Sequence, residues 1–227
     1  MATTAKAAVK ETPAAQRPRR RPQQSRARQT AQAIREAFEQ GLLESGYERL
    51  SIRQITSLAG VGIGSFYEYY ASKSELASVC VHLRVKQIRT TMAKCLDKVR
   101  ELPLPQRVDA LLAAQTGAAL EQPALWRALF LLERQLADIR PYRKQYAEFV
   151  RIWQSALQQG ADWPATADLG EAAFAVHAIS YSLTSQALMT SDQTPDAARS
   201  QQRLRQAVHG YLAQLAPQVY RRHPPFG

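Results

Sequence analysis

The sequence is poor in cysteine and has no long apolar segment, and both absences exclude classes of protein. Cys80 and Cys95 are its only cysteines, and their separation of fifteen residues fits neither a Cys-x-x-Cys site nor a disulfide framework. No run of about eighteen apolar residues is present, so no membrane-spanning helix is predicted. The first residues lack the apolar stretch of a secretory signal. We therefore expect a protein of the reducing cytoplasm with no membrane partner.

The chain also lacks the motifs of common enzymes. No GxSxG, HExxH or P-loop motif occurs, and the glycine-rich segment 60–65 fails the GxGxxG spacing and follows no predicted strand. His177 has no second histidine or cysteine at helical ligand spacing, and Cys80 and His82 face different sides of a helix. The sequence therefore predicts no catalytic residue, no metal site and no cofactor.

Positive charge, in contrast, is abundant and unevenly distributed. The formal net charge of +11 points to a polyanionic partner. Residues 1–28 contain eight Lys or Arg and one Glu, whereas residues 29–75 contain four bases and six acids. The positive charge at this end of the chain thus comes from the first residues and not from the segment that follows them.

Residues 1–24 form an arm rich in Ala, Thr, Pro, Gln and Arg without helical periodicity, so we expect it to be disordered in the free protein. All charges from Arg17 to Arg28 have the same sign. Such an arm can enter a DNA minor groove or pair with phosphates, although a tail that only improves solubility has the same composition. The DNA contacts predicted here are Arg19, Arg20, Arg21 and Arg26.

The segment 52–70 predicts two short helices separated by a tight turn. Apolar residues repeat at helical spacing from Ile52 to Leu58, a Gly-Val-Gly sequence follows, and Phe66 and Tyr70 lie one turn apart on a second helix. Ser51 stands at the N-cap position of the first helix. This order is that of a helix-turn-helix unit, whose second helix enters the DNA major groove. The same pattern also occurs in helical proteins for packing alone.

Several residues in and around this unit follow a specific order and spacing. They are Ala37-Phe38, Gly46-Tyr47, Ser51-Ile52, Ile55, Ala59-Gly60-Val61, Gly64-Ser65-Phe66-Tyr67, Tyr70, Ser72-Lys73 and Leu76. Taken together, residues 30–79 resemble the DNA-binding domain of the TetR family of bacterial transcriptional repressors. The resemblance covers under a quarter of the chain. It departs from the family at Gly62, where a small hydroxyl residue is usual, and at Tyr69, where histidine is common.

The resemblance implies a role for each residue of the second short helix and its neighbours. Phe66 and Tyr70 are expected to pack inward. The residues expected to meet base edges are Ile63, Gly64, Ser65 and Glu68, and those expected to reach phosphates are Tyr67, Tyr69 and Lys73. Ser51 and Arg53 are further phosphate candidates, because a helix N-terminus favours anions.

The rest of the chain predicts helices and no strands. The predicted helices cover about residues 25–44, 52–59, 63–70, 74–100, 106–121, 123–138, 142–159, 169–190 and 195–220. We expect an all-α fold of about nine helices, with a three-helix DNA-binding domain at 25–73 and a larger helical bundle at 74–227. The family resemblance implies that this second domain binds an effector and dimerises.

Aromatic residues in the second domain recur at helical spacing. Periodic aromatics normally belong to a core, but an aromatic lining with few polar groups is also typical of a small-molecule pocket. Arg127, Arg134 and Arg151 lie nearby in the sequence, so an anionic as well as a small hydrophobic or aromatic ligand is compatible. The candidate pocket residues are Trp126, Phe130, Tyr146, Phe149, Trp153, Phe174, His177 and Tyr181.

The last two long helices carry small and apolar residues that suit close helix–helix contact. They belong either to the core of one chain or, as the resemblance implies, to a two-fold four-helix dimer interface. A homodimer would place two recognition helices about one DNA turn apart, which suits a palindromic site in double-stranded DNA. The candidate interface residues are Val176, Ile179, Leu183, Ala187, Leu204, Val208, Tyr211, Leu212 and Leu215.

The function predicted from these observations is that of a transcriptional repressor that leaves its DNA operator when a small molecule binds the C-terminal domain. The alternative is a DNA-binding regulator without a ligand, whose C-terminal domain only dimerises or recruits a partner. An interior cavity at the aromatic residues would favour the first interpretation, and a fully packed core would favour the second.

Overall fold

The structure, a computed structural model, describes residues 22–159, 163–191 and 193–225. Within these ranges every regular element is an α-helix, which confirms the predicted all-α class. The helices are α1 (Pro22–Ser45), α2 (Ile52–Leu58), α3 (Ile63–Tyr69), α4 (Lys73–Val99), α5 (Leu104–Glu121), α6 (Pro123–Leu136), α7 (Ile139–Gln158), α8 (Leu169–Thr190), α9 (Ala197–Leu215) and α10 (Pro217–Arg222). None of these helices is long and apolar enough to cross a membrane.

Helices α1 to α3 pack around one small apolar core. Phe38 of α1, Ile55 of α2 and Phe66 of α3 are all fully buried there. Gly41 of α1 lies against Leu50, and a Cβ at Gly41 would stand only 2.5 Å from the Leu50 Cδ1 atom. The absence of a side chain at Gly41 therefore lets the segment before α2 pack directly on α1.

Helices α4 to α10 form the larger body of the molecule. The long helix α4 packs against α1, α5, α6 and α7, while α8 packs between α7 and α9. Leu111 and Leu112 of α5, Trp153 of α7 and Val176 of α8 are fully buried between these helices. Both α4 and α6 pack against α1, so these two helices connect the first three helices to the body.

A buried arginine fastens the ends of two helices. Arg107 of α5 is 3% exposed, and its Nε donates to the Ala156 carbonyl at 2.7 Å. Its Nη1 donates to the Leu102 carbonyl at 2.8 Å, and its Nη2 donates to the Gln159 carbonyl. The Arg107 guanidinium thus satisfies carbonyls beyond α4 and at the end of α7, which have no partner within their own helices.

The structure differs from the sequence prediction at both ends of the helical region. Helix α1 begins at Pro22, three residues before the predicted start, and Pro is well tolerated in a first helical turn. The predicted last helix is divided into α9 and α10, which gives ten helices in the described ranges. Pro217 disfavours helical geometry at the residue before it, and Ala216 accordingly has φ −128° and ψ 56°.

Candidate functional site

The turn between α2 and α3 is closed by backbone hydrogen bonds that glycine makes possible. Gly60 has φ +66°, in the left-handed region that glycine adopts without strain. Its N–H donates to the Ser57 carbonyl at 3.2 Å, and the Val61 N–H donates to the Thr56 carbonyl at 3.0 Å. These two bonds form a Schellman motif, which ends α2 and directs the chain into α3.

Helix α3 has one buried and one exposed face. Phe66 is fully buried and Tyr70, directly after the helix, is 5% exposed, which confirms that both pack inward. The Tyr70 hydroxyl donates to the Ala31 carbonyl at 3.3 Å and accepts from Arg35 Nη1 at 3.1 Å, which fixes α3 against α1. The residues predicted to face DNA lie on the other side: Ile63, Gly64, Tyr67 and Glu68 are exposed, and Ser65 and Tyr69 are half-buried.

Two large side chains on this face are exposed, although the Tyr67 ring also packs edge-on against Phe66 with 5.4 Å between ring centres. Ile63 is 46% exposed and Tyr67 is 57% exposed. Exposed apolar groups that stand together on a surface mark an interaction site. Arg53 of α2 is exposed as well, and Glu68 is an exposed negative charge on α3. The geometry therefore suits contact with base edges and thymine methyl groups better than strong attraction to phosphate.

Ser51 and Gly62 cap the two short helices differently. The Ser51 Oγ accepts from the Gln54 N–H at 3.2 Å, and the Gln54 Oε1 accepts from the Ser51 N–H at 2.8 Å, which completes a capping box. Gly62, in contrast, caps α3 without any side-chain bond. The Ser51 hydroxyl is thus used within the domain, and its predicted phosphate contact stays a prediction.

Lys73 has a structural role that the sequence did not reveal. Its Nζ donates to the Tyr47 carbonyl at 2.7 Å and to the Leu50 carbonyl at 2.9 Å, and it lies 4.3 Å from the centre of the Tyr47 ring. Two of its three N–H groups therefore fasten the start of α4 to the segment between α1 and α2. Only the third remains for the predicted phosphate contact.

The predicted arginine contacts fall partly outside the described residues. Arg19, Arg20 and Arg21 are not among them, and of the predicted arm 1–24 only the backbone of residues 22–24, at the start of α1, is described. Arg26 is exposed on the first turns of α1. Its predicted contact with DNA remains a prediction.

The C-terminal body contains an interior cavity of about 60 Å³. Helices α4 to α8 all contribute to its wall, and α4 supplies Val81, Val85 and Ile88. A cavity of this volume holds only a few water molecules, and an engineered cavity that binds benzene measures about 150 Å³. A ligand of more than a few heavy atoms must therefore displace side chains or helices of the wall.

A hydrogen-bonded polar group lines one side of this cavity. Gln115 donates from Nε2 to the Ser180 Oγ at 2.7 Å, and its Oε1 accepts from the Trp153 Nε1 at 2.8 Å. His177 stacks on the Phe149 ring with 4.7 Å between ring centres. Burial lowers the pKa of His177 to about 4, so the imidazole is neutral at pH 7 and can donate or accept a hydrogen bond.

A second polar pair lies one helical turn further along α8, with 6.2 Å between the centres of the His177 and Tyr181 rings. The Tyr181 hydroxyl donates to the Glu133 carboxylate at 2.6 Å. Burial raises the pKa of Glu133, while the bond from Tyr181 and the charge of Arg134 act in the opposite direction. Glu133 is the one Asp, Glu, Lys or Arg residue in the described wall of the cavity. The described wall of the cavity is therefore mainly apolar, with a few hydrogen-bonding groups and no Lys or Arg.

Six of the eight predicted pocket residues line this cavity, namely Trp126, Phe130, Tyr146, Phe149, His177 and Tyr181. Trp153 is fully buried behind the wall and reaches the cavity only through Gln115. Phe174 is 51% exposed and lies on the outer surface against Tyr146. Helical spacing alone does not distinguish Trp153 and Phe174 from the residues that line the cavity, because all of them belong to the same periodic aromatic pattern.

Sequence reasoning missed the polar and α4 residues of the wall. Gln115 and Thr116 lie among apolar residues on the buried face of α5, which also carries Arg107, and such polar residues in an apolar pattern were the available signal for a polar group inside the body. Three arginines suggested for an anionic ligand do not line the cavity. Arg127 donates to the Leu188 carbonyl at 2.7 Å, Arg134 donates to the Phe130 carbonyl at 3.3 Å, and Arg151 is exposed.

The predicted dimer residues divide into two groups. Val176, Leu204, Val208 and Leu212 are buried within the single chain, so their packing is that of an internal core. Ile179, Leu183, Ala187, Tyr211 and Leu215 are half-buried on α8 and α9. Only this second group has surface left for a partner chain.

Three contacts join the DNA-facing part, which comprises α1 to α3 and the segments between them, to the body. Arg84 of α4 donates through Nε to the Glu39 carboxylate of α1 at 2.8 Å, and its second nitrogen completes a bidentate pair. Gln135 of α6 donates to Glu48 at 3.0 Å. Together with Lys73, these contacts connect α4 and α6 to the first three helices and the segments between them.

Sequence comparison assigns this helix-turn-helix to a family. Residues 33–80 match the family model for the bacterial regulatory proteins of the tetR family. The chain carries a TetR-family DNA-binding domain. The match covers α2 and α3 completely, together with the later part of α1 and the start of α4, and therefore includes Lys73. No curated protein sequence matches the chain significantly.

Solved structures extend the likeness to the whole fold. A TetR-family transcriptional regulator from Streptomyces coelicolor is 17% identical, with 82% of this chain and 99% of that chain covered and a TM-score of 0.59. A gamma-butyrolactone receptor described as an ArpA-like protein is 24% identical, with 88% and 94% covered and a TM-score of 0.60. The regulator FadR from Bacillus subtilis, solved with stearoyl-CoA, is 15% identical, with 78% and 96% covered and a TM-score of 0.63. At these identities the likeness establishes the TetR-like fold.

Proposed function

We propose that this protein is a transcriptional repressor that binds a palindromic DNA operator as a homodimer and releases it when a small molecule occupies the interior cavity. The function is one of binding and not of catalysis, and its place of action is the cytoplasm. The observation that carries the proposal is that one helix, α4, serves both sites. It supplies Val81, Val85 and Ile88 to the cavity wall, and its first turns hold the DNA-facing helices through Lys73 and Arg84.

The DNA-facing part supports sequence-specific binding. Helix α3 presents exposed side chains on one face, and Phe66 and Tyr70 hold it rigidly from the other. A single copy has few positive charges at this surface, so its affinity for DNA depends on additional contacts. A second copy in a homodimer and the arginines of residues 1–24 are the proposed sources.

The small volume of the cavity supports release of DNA on ligand binding, because a typical ligand is larger than the cavity. A molecule that enters must push α4 or the aromatic side chains of α6 and α7 outward. The ligand then binds the displaced state more tightly than the undisplaced one, and this difference in affinity is the free energy available to move the DNA-facing helices. A displacement of α4 in each protomer would change the spacing of the two recognition helices and weaken their fit to a palindrome.

The wall chemistry supports an apolar or aromatic ligand with a few hydrogen-bonding groups. No Lys or Arg lines the described cavity, and Glu133 repels anions. Structural neighbours of this fold include a gamma-butyrolactone receptor and a regulator solved with stearoyl-CoA. These relatives support the placement of a small-molecule site within the same fold.

A regulator without a ligand is the second candidate function. The small volume of the cavity favours it, because a few trapped water molecules could satisfy Gln115, Ser180 and Glu133 with no ligand present. In that case the C-terminal body would serve for dimerisation or for recruiting a partner.

The decisive experiment selects bound sequences from random double-stranded DNA and then screens small molecules for release of the selected duplex. A variant with a filled cavity gives the control. Ala119 is buried in the wall, so Ala119→Phe should occupy the ligand space, whereas Ala118→Phe places the same ring on the exposed side of α5.

We expect the Ala118→Phe protein to release DNA like the unaltered protein and the Ala119→Phe protein to stay bound. Equal release by both would place the ligand elsewhere. Failure of every compound to release DNA, with DNA binding intact, would favour the regulator without a ligand.

A further inference from the structure

A wide basic groove runs between α4 and α7 on the outside of the body, with a volume of about 1080 Å³. We call it the α4–α7 groove. It contains five Lys or Arg residues and two acidic residues, which gives a formal charge of +3. The bases are Lys86, Arg89, Arg140, Lys144 and Arg151, and the acids are Asp97 and Glu148.

Several of these cations have no anionic partner. The side chains of Lys86, Arg140 and Lys144 make no hydrogen bond or ion pair with any residue that the structure describes. Arg89 is paired with Glu148, yet its Nε is buried without an acceptor. Burial, together with the nearby Arg151 charge, lowers the pKa of Arg89. The groove therefore carries three solvent-exposed cations that no carboxylate of the described residues neutralises.

One residue lines both the groove and the interior cavity. Gln145 of α7 lines both spaces, and its Nε2 lies 3.1 Å from the Nδ1 atom of His82 on α4. This is the only hydrogen bond of the Gln145 side chain within the described ranges. A change of the Gln145 rotamer therefore breaks one hydrogen bond to a described residue, and Gln145 is the residue through which the basic groove adjoins the apolar cavity.

We propose that the ligand is an amphiphilic anion, whose apolar tail enters the interior cavity past Gln145 and whose multiply charged head lies in the α4–α7 groove. This inference rests on the proposed ligand site in the cavity and names the chemical class that fits it. The two spaces have complementary chemistry: the cavity accepts apolar groups and repels anions through Glu133, while the groove attracts anions.

Binding of this kind would also act on α4 directly. The tail presses on Val81, Val85 and Ile88, and the head draws Lys86 and Arg89 of the same helix toward Lys144 of α7. Both forces act on the helix that holds the DNA-facing part.

A second opening near the start of α4 has acidic residues and would suit a cationic head instead. Its carboxylates already have partners, however. Glu75 accepts from the Ala71 N–H at 2.6 Å, Asp138 accepts from the Arg140 N–H at 3.1 Å, and Glu133 accepts from Tyr181. The unpartnered cations of the α4–α7 groove therefore favour an anionic head.

Calorimetric titration of the full-length protein tests this class directly. The probes are dodecanoyl-coenzyme A and the short-chain phospholipid dioctanoyl-phosphatidic acid, both below their critical micelle concentrations. Coenzyme A without a tail and dodecyltrimethylammonium serve as comparisons. We expect one or both anionic amphiphiles to bind, and their relative affinity distinguishes a nucleotide-type head from a lipid phosphate. We expect coenzyme A alone and the cationic amphiphile to bind at least about tenfold more weakly.

Matched charge reversals locate the head. The double variant Lys86→Glu with Lys144→Glu changes the groove, whereas Lys94→Glu with Arg143→Glu makes the same net charge change at exposed positions of α4 and α7 outside it. We expect the groove variant to weaken binding of the anionic amphiphile by about tenfold or more and the control to leave it within about twofold.

A third variant separates the two halves of the site. Gln145→Trp places a bulky side chain between groove and cavity, so it should weaken the amphiphile while leaving the weak binding of coenzyme A unchanged. Thermal melting of each variant verifies that it is folded.

Three results would overturn the inference: no binding of either anionic amphiphile, tighter binding of dodecyltrimethylammonium, or equal loss in the groove and control variants. Release of DNA is measured separately with the selected duplex. An amphiphile that binds in the groove and cavity without releasing DNA would leave this site assignment standing and would contradict the proposed release function instead.

Discussion

At the scale of single residues, His177 makes the stability of the fold depend on pH in the acidic range. Its imidazole is buried against Phe149 and Tyr146, and its pKa falls from an ordinary 6.5 to about 4. Between these two pH values the unfolded chain binds a proton that the folded chain does not. The free energy of unfolding therefore decreases as pH falls from about 6.5 to about 4, and His177 contributes no pH dependence above that window.

We expect this loss to amount to about 3 kcal/mol, and the variant His177→Asn to lack it because asparagine does not titrate. The measurement is urea unfolding of both proteins at pH 7 and pH 4.5, at one protein concentration. Glu133, with its raised pKa, has the opposite sign, since its contribution is present at low pH and lost as pH rises through its folded value. Both proteins contain Glu133, so its effect cancels in the comparison. Parallel pH profiles for the two proteins would contradict the assignment to His177.

Lys73 shows how one residue can serve structure as well as DNA binding. Because its Nζ donates to the Tyr47 and Leu50 carbonyls, we expect Lys73→Ala to lower the free energy of unfolding by about 2 kcal/mol and to weaken binding to all DNA sequences alike. Arg53→Ala is the control, since the Arg53 side chain is exposed and makes no bond to another described residue. It should weaken DNA binding and lower the salt dependence without changing the melting temperature. Equal melting temperatures for both variants would mean that the internal bonds of Lys73 contribute nothing.

At the scale of helices, Arg107 joins three helices through the hydrogen bonds of one side chain. One buried guanidinium on α5 satisfies carbonyls that follow α4 and that end α7. We expect Arg107→Met, which keeps the length of the side chain, to lower the free energy of unfolding by about 3 kcal/mol, because several buried carbonyls lose their donor. Gln106→Met, at the neighbouring exposed position, should change it by less than about 0.5 kcal/mol. Urea unfolding measures both values, and similar losses in the two variants would contradict this role.

The bounds of the helices were largely predictable because their determinants are local. Ser51 caps α2, Gly60 ends it, and Ser72 caps α4 through a bond to the Glu75 N–H at 3.1 Å. Each signal acts within four residues of the helix end. The division between α9 and α10 also has a local cause, because Pro217 lies within the apolar pattern of the predicted helix. The predicted continuous helix 195–220 was wrong, since a proline in a helix interior ends or kinks the helix.

At the scale of the whole molecule, α8 and α9 determine the expected oligomer. Half-buried Leu183 and Tyr211 are among the predicted interface residues with remaining surface. We expect light scattering to give twice the chain mass of 25.4 kDa and Leu183→Lys to reduce it to the monomer mass. Leu131→Lys is the control, because Leu131 is 54% exposed on α6. A monomer at micromolar concentration for the unaltered protein would remove the palindrome from the proposal.

Removal of residues 1–24 tests whether the basic arm contributes to DNA binding. We expect lower affinity for the selected duplex, a smaller dependence on salt, and an unchanged melting temperature, since the arginines of the arm would pair with phosphates. The comparison protein replaces Arg19, Arg20 and Arg21 by glutamine and keeps the length of the chain. Affinity that is unaffected by both changes would leave the arm as a solubilising tail.

The sequence by itself determined the helical class, the order of the helix-turn-helix and the inward packing of Phe66 and Tyr70, because these follow from spacing and capping between near neighbours. The tertiary structure decided which aromatic residues surround a cavity. Tyr146 lines it, Trp153 lies behind Gln115, and Phe174 lies outside, although all three belong to periodic stripes. It also decided that the described cavity wall contains no Lys or Arg and that Gln145 lines both the cavity and the basic groove. These relations join residues far apart in the chain, such as Gln145 and His82, and only the packing of helices brings them together.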